Sequence, residues 1–240
     1  MESKIDIEED NFAAIQWKAI SLTHVEYPKG DYVGLILAWC SLLPVFVLVS
    51  FGTLILFRRD LHTIAYFCGL LVNEAANFVL KHLIKEPRPV RNREVLFTEY
   101  GMPSSHAQFM WFLSSYLVLF LFIRVHNNIQ FIDNIWKYLT ALGALGVAAI
   151  VCFSRVYLGY HSFSQVCWGG VVGCVLGVLW FCVVHQALTP LFPEIAAWPI
   201  CEFLMIRDFS LIPNVMWFEY TCARGEAKNR QRKITSRKSQ

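Results

Sequence analysis

Long apolar runs separated by short polar segments fill most of this chain. The first run, Tyr32–Phe57, has no charged residue and is long enough to cross a bilayer, with a kink expected at Pro44. Four more apolar runs follow it, at His62–Leu83, Ala107–Ile123, Tyr138–Phe153 and Ser162–Val184. The third and fourth are slightly short and need residues from their flanks to span. The pattern predicts an all-α polytopic membrane bundle with about five transmembrane helices.

Polar and small residues inside these runs indicate how the helices pack. Asn73, Glu74 and Asn77 interrupt the second run, and we expect them to face the bundle interior because polar groups are costly in lipid. The fifth run carries a repeat of small residues, Gly169, Gly173 and Gly177. Small residues one helical turn apart let two helix backbones approach closely, so we interpret this repeat as a packing surface.

The two ends of the chain differ in charge, and this difference predicts an orientation. We divide the chain into an acidic segment, a transmembrane core, an interfacial or re-entrant segment and a basic tail, at residues 1–31, 32–186, 187–220 and 221–240. Five spans place the termini on opposite sides of the membrane. The positive-inside rule then assigns the basic tail to the cytosol and the acidic start to the lumen. The connections 81–106 and 154–162 would share the lumenal face.

Composition supports a membrane protein and argues against several other classes. The 240 residues are 56% hydrophobic, and the mean hydropathy is +0.45. A net charge of +3 carries no nucleic-acid footprint, so the bilayer is the expected partner, and no protein partner is indicated. The eight cysteines show neither a paired motif nor metal-ligand spacing. We predict no metal and no cofactor.

Three polar clusters lie at the ends of the predicted spans. They are Lys81 with Arg88, then Ser104 with Ser105 and His106, and then Arg155 with His161. A lysine and a forked guanidinium suit a phosphoryl group. Serines at a helix start suit an anion site, because the first peptide N–H groups of a helix are free. A histidine beside a phosphate-binding arginine is a plausible nucleophile.

Each cluster taken alone also has a structural explanation. Basic residues at a helix end can extend to the membrane surface, and serines can serve only as a helix cap. Gln165 lies one helical turn after His161, so it can face the imidazole. Its amide oxygen can accept the ring N–H and fix the tautomer, but it cannot stabilise an imidazolium as a carboxylate would.

The order and spacing of the three clusters resemble the type 2 phosphatidic acid phosphatase superfamily. The resemblance is carried by Glu86–Pro89, Tyr100–His106 and Ser154–His161. Within that superfamily the chain looks most similar to the dolichyldiphosphatases, and the later segments Leu188–Pro193 and Ala196–Pro199 add to this likeness.

The resemblance implies a function and a role for each residue. The family hydrolyses dolichyl diphosphate to the monophosphate at the lumenal face of the endoplasmic reticulum, without metal, and so recycles the lipid carrier of protein N-glycosylation. His161 would be the nucleophile that forms a phosphohistidine, and His106 would protonate the leaving oxygen. The phosphate would be held by Lys81, Arg88, Ser104, the Ser105 N–H and Arg155. The superfamily's third motif usually ends in Asp, and here that residue is Gln165.

Other interpretations of the sequence remain open. The substrate could be phosphatidate, a sphingoid phosphate or another polyprenyl diphosphate. A non-catalytic membrane scaffold would be a different class, although both histidines and all three cations are present. A transporter would require charges inside the spans, where only Glu74 clearly offers one. Three further cations, Lys85, Arg91 and Arg93, either hold a second phosphate or form a solvated loop.

Overall fold

The regular structure in the described part of the chain is helical apart from one short hairpin. A computed structural model describes residues 17–20, 25–89, 100–125, 131–212 and 214–238. Two antiparallel strands, β1 (Trp17–Ile20) and β2 (Val25–Pro28), pair with Trp17 opposite Pro28. The helices are α1 (Tyr32–Cys40), α2 (Leu43–Arg58), α3 (Leu61–Ile84), α4 (Ser105–Leu119), α5 (Phe131–Tyr157), α6 (Phe163–Cys182), α7 (Phe192–Ala196), α8 (Pro199–Phe203) and α9 (Val215–Lys238).

Within the described ranges, five helical segments are long and apolar enough to cross a membrane, which confirms the prediction. They are Tyr32–Arg58, Leu61–Ile84, Ser105–Arg124, Asn134–Tyr157 and Phe163–Ala196. The third and fourth gain residues from their flanks, as their short apolar runs required. The first span is broken between α1 and α2, and Pro44 lies in the first turn of α2. Proline is tolerated there because that turn needs no peptide donor from it.

Helix α4 lies at the centre of the bundle. Its buried side chains Phe109, Phe112 and Tyr116 pack with residues of α3, α5 and α6. The most intimate packing is against α6, where the predicted glycine surface is confirmed. A Cβ on Gly169 would lie 2.7 Å from the Ser104 carbonyl oxygen, and one on Gly177 would lie 2.8 Å from that of Phe112. No side chain fits at such distances, so these glycines set the close approach of α6 to the start of α4.

A buried amide cluster joins α3 to α4 below the predicted site. Asn73 and Asn77 face the interior, as predicted, whereas Glu74 is only half-buried. Asn77 donates to the Gln108 side-chain oxygen at 2.8 Å, and Gln108 donates to the Asn73 side-chain oxygen at 3.0 Å. Asn77 also donates to the Pro103 carbonyl. Because buried polar groups need partners, these bonds fix the segment that precedes α4.

The chain after α6 folds back onto the opposite end of the bundle. Helix α6 continues as a π turn and a 3₁₀ turn to Leu191, so the fifth span runs past residue 186, where we placed the end of the core. The Arg207 N–H donates to the Arg59 carbonyl at 2.7 Å, and the Arg58 guanidinium pairs with Glu219 at 3.3 Å. Helix α9 crosses the predicted boundary at residue 220.

Candidate active site

Four helix ends meet at one end of the bundle. Helices α3 and α5 end here and carry Lys81 and Arg155 in their last turns. Helix α4 begins here after its N-cap residue Ser104, and α6 begins here with Gln165 in its first turn. The Ser104 N–H donates to the Gln165 carbonyl at 3.1 Å, so these two helices start side by side. The antiparallel order of the spans therefore brings together the three clusters that the sequence separates.

A tight loop between α5 and α6 positions His161. The N–H groups of Tyr160 and His161 both donate to the Arg155 carbonyl, at 3.0 and 3.2 Å. Gly159 has a φ of 72°, a left-handed conformation that favours glycine and lets the chain reverse here. The loop ends at Ser162, which caps α6 by accepting from the Gln165 N–H. His161 is held beside Arg155 and is 2% exposed.

The Gln165 side chain contacts both His161 and the segment that carries Arg88. Its Oε1 lies 3.2 Å from His161 Nδ1 and accepts from the Ser162 N–H at 3.2 Å. Its Nε2 donates to Glu86 Oε1 at 2.8 Å and to the Pro87 carbonyl at 2.9 Å. Its backbone carbonyl also accepts from the Ser104 N–H, so Gln165 is hydrogen-bonded to His161, to Ser104 and to the two residues that precede Arg88. It is 1% exposed, so water does not compete with these bonds.

These contacts determine the tautomer of His161. The amide orientation of Gln165 follows from its neighbours, because two oxygens surround Nε2 and a peptide N–H faces Oε1. Since Oε1 can only accept, the neutral imidazole carries its proton on Nδ1. Its Nε2 then presents a lone pair. This atom is buried and has no hydrogen-bond partner among the described residues. A buried, unprotonated imidazole nitrogen has the form that a nucleophile requires.

The surroundings of His161 keep it neutral. Burial lowers the pKa of His161 well below its usual range, and the positive charges of Arg155 and Arg88 lower it further, while the hydrogen bond with Gln165 acts in the opposite direction. Lys81 contributes a smaller effect of the same sign as the arginines. Three cations and a neutral imidazole are suited to an anionic ligand, whose charge would offset that of the cations.

Arg155 is supported by Tyr160 and the N-terminal hairpin. Its guanidinium carbon lies 4.0 Å from the centre of the Tyr160 ring, and both side chains are buried. The Tyr160 hydroxyl accepts from the Glu26 N–H at 2.8 Å, which ties the ring to β2. Tyr160 also packs with Val25 of the same strand. The guanidinium is therefore positioned against a rigid aromatic face.

The start of α4 adds further polar groups. The Ser104 hydroxyl is buried and has no hydrogen-bond partner in the described part of the chain. Ser105 is the first helical residue, so its N–H is among those that the helix itself cannot satisfy. Half-buried His106 lies within electrostatic range of His161 and of all three cations. A phosphate oxygen at this helix start would meet a hydroxyl and free peptide donors.

Two contacts at the site could not be predicted from the sequence. Glu86 and Gly101 belong to the segments that carried the family resemblance, but their contacts with Gln165 depend on the tertiary fold. Lys85 is exposed at the end of α3, and Arg91 and Arg93 lie outside the described residues. Within the described ranges, no three imidazole, thiol or carboxylate groups converge to form a metal site.

Known proteins with similar sequences and folds identify the family. Residues 62–188 match the PAP2 superfamily. The chain is 56% identical to Dolichyldiphosphatase 1 of Mus musculus and 55% identical to that of Homo sapiens, in each case over 91% of this chain and 93% of the relative. The crystal structure of a transmembrane PAP2 type phosphatidylglycerolphosphate phosphatase from Bacillus subtilis superimposes with a TM-score of 0.54 at 21% identity, covering 66% of this chain and 80% of that one. The chain belongs to the PAP2 superfamily and, within it, to the dolichyldiphosphatase family.

Proposed function

We propose that this protein hydrolyses dolichyl diphosphate to dolichyl monophosphate and inorganic phosphate. The observation that carries the proposal is the Nε2 of His161, which is buried, has no hydrogen-bond partner among the described residues, and lies within electrostatic range of Arg88 and Arg155. The relatives' names supply the substrate. The geometry supplies a nucleophile and an anion site for its terminal phosphate.

The reaction proceeds in two steps. His161 Nε2 attacks the terminal phosphorus, a nitrogen–phosphorus bond forms, and the bond to the bridging oxygen breaks. His106 donates a proton to the leaving dolichyl monophosphate and later accepts one from the water that hydrolyses the phosphohistidine. Lys81, Arg88 and Arg155 stabilise the charge on the transferring group. Ser104 and the Ser105 N–H orient its remaining oxygens.

A pyrophosphate substrate suits the amide at position 165. The leaving group is a phosphate, which departs far more readily than a simple alcohol, so the reaction demands less of the proton donor His106 and of the group that orients His161. An amide oxygen fixes the tautomer without neutralising an imidazolium. The site therefore favours lipid diphosphates over lipid monophosphates such as phosphatidate.

An apolar groove beside the site supports a substrate with an isoprenoid chain. The groove runs between α5 and α6 and encloses about 820 Å³. It begins at Phe163 and Val166, next to His161 and Gln165 along the chain, and continues past Gly170 to Cys174. At about 1.5 Å per helical residue this is a path of roughly 15 Å, enough for the first few isoprene units.

The sequence supports an orientation in the membrane of the endoplasmic reticulum with the active site in the lumen. The basic segment 221–240 lies on the cytosolic side, the acidic segment 1–31 on the lumenal side, and the part of 187–220 that follows the fifth span at the interface. An Asn-x-Ser acceptor inserted within residues 1–16 is then glycosylated in microsomes, whereas one appended after residue 240 is not. The reverse pattern would contradict this orientation.

Phosphate release from dolichyl diphosphate in detergent tests the function. We expect wild-type protein to be active with EDTA present and His161→Ala to lose activity. His82→Ala is the matched control, because His82 is an exposed histidine one residue after Lys81 at the same end of the bundle. Activity that depends on a divalent metal, or full activity in His161→Ala, would overturn the mechanism. A faster rate on phosphatidate than on the diphosphate would overturn the substrate.

A further inference from the structure

The side chain of Gln165 forms a continuous hydrogen-bonded path from His161 to a carboxylate. On one side, His161 Nδ1 donates to Gln165 Oε1 at 3.2 Å. On the other, Gln165 Nε2 donates to Glu86 Oε1 at 2.8 Å. The carboxylate is thus one amide group away from the imidazole, and both bonds run in the same direction. Hydrogen bonds arranged in this way polarise one another.

We propose that Glu86 is a positioning residue that supplies negative charge to His161 through the Gln165 amide. The proposal rests on the proposed function of His161 as the nucleophile. When Nε2 bonds to phosphorus, positive charge spreads over the ring to Nδ1–H. The carboxylate polarises the amide, so that Oε1 becomes a stronger acceptor as this charge develops. Amide and carboxylate together perform what a single carboxylate against the ring would do.

The backbone of this segment is held without the Glu86 carboxylate. The Glu86 carbonyl accepts from the Gly101 N–H at 2.7 Å, and the Pro87 carbonyl accepts from Gln165 Nε2 at 2.9 Å. These two bonds fix the two residues that precede Arg88. The effect of the charge-assisted bond from Gln165 to the Glu86 carboxylate can therefore be measured separately from the support of the backbone, by removing the charge of residue 86 without changing its shape.

Glu86→Gln is that change, because it keeps an oxygen acceptor for Gln165 and removes the charge. We expect kcat for dolichyl diphosphate to fall roughly 10- to 100-fold, the effect of losing a charged hydrogen-bond partner, with KM nearly unchanged. Glu194→Gln is the control, since it removes an exposed carboxylate from α7, away from the site. An unaltered kcat in Glu86→Gln would overturn the proposal.

The pH profile separates charge from structural support. Among the described residues, the groups within electrostatic range of His161 are the cations Lys81, Arg88 and Arg155 and the imidazole of His106. The three cations oppose the imidazolium, whereas Glu86 is connected to His161 through the Gln165 amide and in this proposal favours the imidazolium. Glu86→Gln therefore moves the acidic limb of kcat/KM to lower pH, and an unmoved limb together with a reduced kcat would indicate structural support only, which overturns the proposal.

Exchanging the two residues provides a rescue. Gln165→Glu alone places two carboxylates within hydrogen-bond distance of one another, and we expect it to lose most activity. Gln165→Glu combined with Glu86→Gln restores a donor opposite an acceptor between these two residues and puts the carboxylate against His161, while the Pro87 carbonyl still lacks its donor. This double variant should recover part of the activity lost in Gln165→Glu and titrate at higher pH than wild type. A double variant no more active than Gln165→Glu would count against the proposal. Inactivity of the wild-type protein would instead contradict the proposed function.

Discussion

Gly101 tests whether the position of Gln165 controls the reaction. A Cβ at residue 101 would lie 2.7 Å from Gln165 Nε2 and 2.8 Å from Oε1. Relaxed heavy-atom contacts are about 3.5 Å, so Gly101→Ala must push the amide aside by nearly 1 Å. The amide is hydrogen-bonded on both sides and buried, and it cannot move that far without breaking bonds to Glu86 and Pro87.

The expected loss follows from these bonds. A neutral hydrogen bond contributes about 1 kcal/mol and one to a charged group about 1.5–3 kcal/mol. If Gly101→Ala removes about 2 kcal/mol of this hydrogen-bond stabilisation from the transition state, kcat for dolichyl diphosphate falls roughly 30-fold. Gly143→Ala is the matched control, because a Cβ there meets nothing within 4 Å. It should leave kcat unchanged and can stabilise α5 slightly, since alanine favours helices over glycine.

A double-mutant cycle shows whether Gly101→Ala lowers kcat by displacing the Gln165 side chain. In a Gln165→Ala background the obstructing amide is absent, so adding Gly101→Ala should cost little further activity or thermal stability. Phosphate release and thermal unfolding in detergent measure the two quantities. Wild-type kcat in Gly101→Ala, or an equal loss in both backgrounds, would refute the argument that the glycine acts through Gln165.

Two further outcomes follow from the surroundings of Arg155 and His161. Tyr160→Phe removes the acceptor of the Glu26 N–H but keeps the ring under Arg155, so thermal stability should fall by about 1 kcal/mol with KM unchanged, whereas Tyr160→Leu should also raise KM. If both variants bind substrate like wild type, the ring does not support Arg155. Because the pKa of His161 is lowered, the neutral nucleophile persists below pH 6.5, and the acidic limb of kcat/KM should lie below that pH. Because the pKa of His161 is lower in the folded protein than in the unfolded chain, the free energy of unfolding decreases as the pH falls from 6.5, the ordinary pKa of histidine, towards the lowered pKa. An acidic limb above pH 7 would contradict this assignment.

The sequence predicted the spans and the clusters because both depend on local chemistry. Apolar length identifies a transmembrane helix, and the glycine repeat on α6 indicates close packing wherever the partner helix lies. The hairpin of β1 and β2 was not predicted, because its strands are short and its contact with Tyr160 is distant in sequence. Helix α9 was not predicted, because it has no apolar periodicity to indicate a helix, and its residues were divided between the interfacial segment and the basic tail.

The contacts of Gln165 could not be read from sequence. That it faces His161 follows from helical spacing, but its bond to Glu86 depends on where the segment after α3 lies, and its bond to Ser104 depends on how close α6 approaches α4. That approach is set by the glycines of α6, Gly169 first among them. The packing surface and the site are therefore one structural feature: a side chain at residue 169 would separate the two helix starts and break the bond between Ser104 and Gln165.

This dependence explains why an amide at position 165 is compatible with catalysis in this chain. A carboxylate there could accept from His161 but could not donate to Glu86 and Pro87, and it would repel Glu86. The Gln165 amide accepts from His161 and donates to Glu86 and Pro87, and the negative charge of Glu86 lies one residue further from the imidazole ring. The neighbouring segment, which carries Arg88, is fixed by the same side chain. In the proposed mechanism, the orientation of His161 and the placement of Arg88 are thereby coupled, so Gln165→Ala should impair both kcat and substrate binding rather than either alone.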